Sequence, residues 1–120
     1  MTIVYSRNYD ISFFGLERMH PFDSRKYGRA WRELSRTCGP ELRKQMRWVE
    51  RPARQEELLL AHTAQHLRSL RSSTALAAAL ELPILRKAPW WFTWWRVARP
   101  MLWAVRGTIL AAEAAVQKGP

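Results

Sequence analysis

The chain opens on Ile3-Val4-Tyr5, β-branched and aromatic residues followed at once by polar Ser6-Arg7-Asn8. That pattern predicts a short buried strand over residues 2–6 that ends in a loop. From Tyr9 to Asp23, aromatics mix with Gly15 and Pro21 and keep no period, which predicts an irregular loop that buries Phe13, Phe14 and Leu16. Asp23 or Ser24 can then cap a helix in which Tyr27, Trp31 and Leu34 recur at helical spacing, so residues 24–37 are predicted helical until Cys38-Gly39-Pro40 stops them. A proline suits a first helical turn, and a short second helix is expected from Pro40 to Met46, with Trp48-Val49 a brief extended piece.

From Pro52 onward Leu58, Leu59, His62, Leu67 and Leu70 give two helical stretches, the second with Thr63 as its cap. Ser72-Ser73-Thr74 caps an alanine-rich helix running to about Leu82, where Pro83 ends it. Pro89 and Pro100 bracket Trp90 to Arg99, and Gly107-Thr108 is expected to open a last helix, Ile109 to Lys118. A lone N-terminal strand among helices leaves edge hydrogen-bonding groups in need of neighbours. The last helix runs into Gly119-Pro120, an exit that in α/β folds leads to another strand. The pattern therefore predicts part of a larger α/β arrangement, mostly helical within these residues.

At 120 residues and 48% apolar content the chain has the make-up of one globular domain or a part of one. Lys and Arg number 20 against 10 Asp and Glu, a formal charge of +10, which attracts phosphates, anionic lipid or acidic protein surfaces. Up to residue 60 there are 12 basic and 8 acidic residues, and beyond it 8 and 2, so the second half carries the greater excess. The basic residues are spread singly or in pairs and form no longer Lys/Arg block, which argues against a nucleic-acid arm. Cys38 is the only cysteine and residues 1–7 lack a secretory pattern, so a cytoplasmic location is expected. Arg96, Arg99 and Arg106 interrupt the apolar C-terminal third before the roughly 18 residues of a membrane span accumulate.

Few residues carry chemistry of their own. His62 and His66 have the i, i+4 spacing of two zinc ligands on one helix face, but Thr63 and Ala64 lie between them where a metalloprotease has its general-base glutamate. A helix-surface or capping pair is the plainer reading. Cys38 precedes a helix end, where the backbone dipole disfavours a thiolate, and the five glycines are too scattered for a phosphate cradle. Trp90, Trp91, Trp94 and Trp95 with Arg96 and Arg99 could stack on bases or sit at a lipid interface. Their spacing is also that of a helical core stripe, which is the preferred reading. If left uncovered, the same surface would be exposed and adhesive.

Ile3-Val4-Tyr5-Ser6, Tyr9-Asp10-Ile11-Ser12-Phe13 and the run Gly15-Leu16-Glu17-Arg18-Met19-His20-Pro21-Phe22-Asp23-Ser24-Arg25-Lys26-Tyr27-Gly28-Arg29 resemble, in order, the opening of class IV-type histone deacetylases. Three further pieces are similar to the same family: Glu56 to Thr63, Arg96 to Met101 and Gly107 to Ala112. The resemblance implies the arginase/deacetylase type of α/β fold, a parallel sheet between helical layers, of which residues 1–120 would be the N-terminal, incomplete part. It implies a parent chemistry in which zinc, held by two aspartates and a histidine, activates water against an acyl-lysine amide beside a tandem-histidine pair. Those groups follow the matched segment, so no catalytic residue, metal ligand or cofactor is expected in this chain. The expected pocket-lining residues are His20, Pro21, Asp23 and Lys26. The expected partners are an acylated lysine or amine substrate for the complete enzyme and a complementing C-terminal chain, as if the gene were truncated, frameshifted or split. Arg106 stands where the family has a glycine before Gly107-Thr108, and a bulky cation would strain a turn there. The alternative reading is a small basic protein whose Trp/Arg segment binds membrane surface or nucleic acid.

Overall fold

A computed structural model describes residues 2–12, 14–15 and 23–118. Strand β1 (Ile3–Tyr5) pairs in parallel with β2 (Met46–Trp48) in the register Ile3 to Met46, Val4 to Arg47 and Tyr5 to Trp48. The expected lone strand therefore has a neighbour within the chain. A parallel pair requires a crossover, and α1 (Lys26–Lys44) supplies it. Gly39 sits inside that element at φ 57°, ψ −145°, a conformation open to glycine without strain. It divides α1 into two helices with Pro40 starting the second, as the sequence implies. The second stops at Lys44, short of the expected Met46, because Met46 joins the sheet. The backbone N–H of Ile3 bonds the Gln45 carbonyl at 2.9 Å just before it.

The start of α1 differs from expectation in detail. Ser24 does not cap it; its hydroxyl donates to the Ile11 carbonyl at 2.9 Å and its own carbonyl accepts from Ile11 N–H at 3.2 Å, so Ser24 latches the preceding loop to the helix start. Within that loop Phe14 is 81% exposed rather than buried; its ring stacks on Phe92 from outside, with centroids 6.3 Å apart. Phe13 and Leu16, also expected to be buried, lie outside the described residues.

Three short helices follow: α2 (Gln55–Leu59), α3 (Ala64–Ser69) and α4 (Ser73–Ala79). Thr63 caps α3 by accepting from His66 N–H at 3.1 Å, and Ser72 caps α4 by accepting from Ala75 N–H at 3.0 Å. Both caps satisfy donors that a helix start leaves unpaired. Helix α4 ends before the expected Leu82, since Glu81 takes a positive φ of 55° and turns the chain into the 3-10 turn Pro83–Lys87.

The largest departure lies in the C-terminal third. Pro100 and Gly107 do not divide it: α5 (Trp90–Thr93), a π-helical turn (Trp94–Ala98) and α6 (Arg99–Lys118) follow one another as a continuous helical column. The N–H of Arg99 reaches back five residues to the Trp94 carbonyl. The hydrogen-bond ladder thus changes frame just before Pro100, and a proline is tolerated where the ladder is already interrupted.

This column carries two separate cores. Leu76 and Ala77 of α4, Leu85 of the 3-10 turn and Val97 of the π turn form one, flanked by Trp90, Phe92 and Met101. Thr93 is buried beside them, its hydroxyl 2.9 Å from that of Ser73. Tyr5, Tyr9, Val49 and Leu110 form the other, flanked by Trp31, Met46 and Trp103. Tyr5 stacks on Trp31 with ring centroids 4.8 Å apart. The chain exposes 8643 Å², against roughly 6700 Å² for a compact monomer of its mass. Its radius of gyration is 15.9 Å, against roughly 13.6 Å for a compact domain of its length.

Candidate functional site

The described residues that follow β1, Ser6 to Ile11, are tied down by backbone-directed hydrogen bonds. Ser6 accepts from Asn8 N–H at 3.2 Å and holds a 3-10 turn, Arg7–Tyr9. That turn aims Asp10 at α1, where one carboxylate oxygen accepts from Gly28 N–H at 3.0 Å. The other oxygen lies so close that a side chain at position 28 would displace it. On the other side, the Tyr9 ring lies against Gly107 of α6 and meets Tyr27 edge-on at 5.6 Å. Burial pushes the Tyr9 phenol up to about 12, with the neighbouring phenols Tyr27 and Tyr5 adding to the effect. Burial likewise raises Tyr5, assisted by the charge of Asp10.

Of the residues the sequence singles out, His20 and Pro21 lie outside the described residues. Asp23 and Lys26 both stand at the start of α1. Asp23 accepts from Arg25 N–H at 3.0 Å and pairs with the Arg29 guanidinium. The Lys26 ammonium stands 5.2 Å from the centre of the Tyr27 ring. Asp10, Gly28 and Gly107 were not singled out, although two glycines inside helical stretches are a signal of close approach.

A second constellation ties α2 to α6. Arg51 grips Glu57 with both terminal nitrogens, at 2.7 and 2.9 Å. Arg106 reaches the same carboxylate at 2.9 Å and Glu113 at 3.4 Å, while Arg47 reaches Glu113 at 3.5 Å. Arg106 therefore lies in mid-helix as a half-buried ion-pair partner. The turn it was expected to strain does not exist. Glu57 also accepts from Arg54 N–H at 2.7 Å. The Arg51 guanidinium, followed by that backbone bond, holds the Glu57 carboxyl down at about 2, from an ordinary 4.5.

A carboxyl depressed on folding stabilises the fold above its unfolded value and ceases to do so as pH falls through its folded value. Acidification from about 4.5 toward about 2 is therefore expected to weaken the wild-type fold more than a Glu57→Gln variant. Urea midpoints followed by circular dichroism at neutral pH and near pH 3 check this; an equal acid loss in both proteins would refute it.

His62 lies before α3, not within it, and its ring centroid is 5.4 Å from that of His66 on the surface. Among the described residues no group of three or more His, Cys, Asp and Glu is placed to hold a metal ion. Among the described residues, too, no helix is long and apolar enough to cross a membrane.

Comparison with known proteins bears on the whole chain rather than on one cluster. Histone deacetylase 2 of Arabidopsis thaliana is 37% identical over 119 residues, which cover 99% of this chain and 30% of that protein. The chain is thus histone deacetylase-like along nearly its whole length, and it spans about 30% of the length of this curated relative. No protein-family model and no solved structure matches it.

Proposed function

We propose that the chain is the N-terminal part of a class IV-type, zinc-dependent deacetylase-like domain of arginase/deacetylase fold, and that it does not catalyse acyl-lysine amide hydrolysis by itself. The observation that carries this reading is the 37% identity that runs through 99% of the chain yet through only 30% of the deacetylase. Physical support comes from the sheet. A parallel sheet is ordinarily covered on both faces and has more than two strands, whereas β1 and β2 are three residues each and Trp48 is half exposed. The surface excess over a compact monomer points the same way. In the complete domain, zinc bound outside these residues would supply the activated water. His20, Pro21, Asp23 and Lys26, the residues the resemblance assigns to the pocket, would line it around an acylated lysine or amine.

The test is hydrolysis of an acetyl-lysine peptide in the presence of zinc. The chain alone is expected to give none. Mixed with the part of the Arabidopsis protein outside the matched segment, it is expected to co-elute and to yield hydrolysis that a chelator removes. Turnover by the chain alone, or failure of the two folded pieces to associate, would overturn the proposal.

A further inference from the structure

The face of the helical column opposite the first core is aromatic, basic and open. Trp90 and Phe92 pack inward on Leu76, Leu85 and Val97. With those two half-buried against that core, Trp91, Trp94 and Trp95, spaced i, i+3 and i+4, face outward and are 67%, 44% and 52% exposed. Phe14 extends the same surface from the neighbouring loop through its stack on Phe92. The Arg96 guanidinium lies between the Phe14 and Trp95 rings, 4.9 and 4.8 Å from their centres, and its Nε is buried with no hydrogen-bond partner among the described residues. Among the described residues no carboxylate pairs with Arg96 or Arg99.

Charge chooses the occupant. Residues 82–112 contain Arg86, Lys87, Arg96, Arg99 and Arg106 and not one Asp or Glu, and among the described residues Arg106 alone of these is consumed by an internal carboxylate network. An acid-free stretch with indole rings outward and the Arg96 guanidinium against the Trp95 ring matches the headgroup boundary of a negatively charged bilayer. There the indoles enter the acyl edge and the guanidinium and ammonium groups stay with phosphate. A nucleic acid fits less well, since its backbone needs a track of cations and here the cations are few and stand among bulky rings.

We infer that this face docks the chain in the plane of an anionic lipid surface, with the Trp90–Ala98 segment lying along it. The inference does not depend on the deacetylase reading; either could fail without the other.

The 120-residue chain is to be sedimented with phosphatidylcholine vesicles with and without phosphatidylserine. Binding is expected on the serine-containing vesicles and is expected to fall steeply with added salt. A Trp91→Gln/Trp94→Gln/Trp95→Gln variant is expected to lose binding and most of its quenching by brominated lipid while keeping its helical circular dichroism. Because that variant could misfold, Arg86→Gln/Lys87→Gln/Arg99→Gln tests the charge separately, with an expected loss of roughly a hundredfold in partitioning. Equal binding to neutral vesicles, unchanged binding by the charge variant, or preferential capture of a single-stranded oligonucleotide would each overturn the inference.

Discussion

Gly107→Ala is expected to destabilise the chain by about 3 kcal/mol, although alanine normally stabilises a helix over glycine by about 1 kcal/mol. A Cβ at position 107 would overlap the Tyr9 hydroxyl oxygen and come 2.7 Å from the ring carbon that bears it. Tyr9 cannot swing aside cheaply, because it is 8% exposed and is held edge-on by Tyr5 and Tyr27. Its hydroxyl has no partner among the described residues, so Tyr9→Phe alone should cost little or even stabilise. Tyr9→Phe/Gly107→Ala should recover part of the loss, as the nearest atom disappears while the ring carbon remains. Urea unfolding of the four proteins gives the coupling between the two positions. A Gly107→Ala protein as stable as the wild type would mean that Tyr9 does not lie against α6 as described.

What the sequence disclosed about the fold divides along local and distant lines. Thr63, Ser72 and the Gly39-Pro40 break act within a few residues of themselves, so their roles were readable from the chain. The pairing of Ile3 with Met46 was not, because Met46-Arg47-Trp48 carries no strand period and gains its conformation only from a partner some forty residues away. Pro100 misled for a related reason. A proline is a local helix breaker, but here a π turn precedes it, and the column is fixed on both sides of it by burial of Val97 and Leu110 in separate cores. Tertiary packing overrode the local preference.

The candidate site shows the same division. Resemblance drew attention to His20, Pro21, Asp23 and Lys26, and of these the described residues include Asp23 and Lys26, whose side chains take different partners. The contacts that hold Tyr9 and Asp10 in place run instead through Asp10 to Gly28 and Tyr9 to Gly107, pairs separated by 18 residues in one case and much further in the other. Helical glycines mark such approaches, but not which residue makes them. By its spacing the tryptophan segment reads as a helical core stripe. The structure divides it, with Trp90 packed against the first core and Trp91, Trp94 and Trp95 outward, because only one side of a helix can face α4 and the Pro83–Lys87 turn.

Leu85→Ala is expected to remove about 3 kcal/mol, a large share of the 5–15 kcal/mol typical of a whole domain, and to do so unevenly. Leu85 is 2% exposed and fills the space between α4 and Val97, while the Tyr5 core shares no buried residue with it. Hydrogen exchange should therefore quicken first at amides of α4 and the Pro83–Lys87 turn, with β1 and β2 close to wild type. Uniform quickening would show instead that the helical column joins both cores into a single cooperative unit. The distinction reaches the lipid-facing surface, because Trp90 and Phe92 rest on Leu85's core and their burial is what turns Trp91, Trp94 and Trp95 outward. If the column loses that rest, the three indoles lose their common face. Leu85→Ala, which alters no exposed residue, should then weaken binding to phosphatidylserine vesicles along with the local stability of α4.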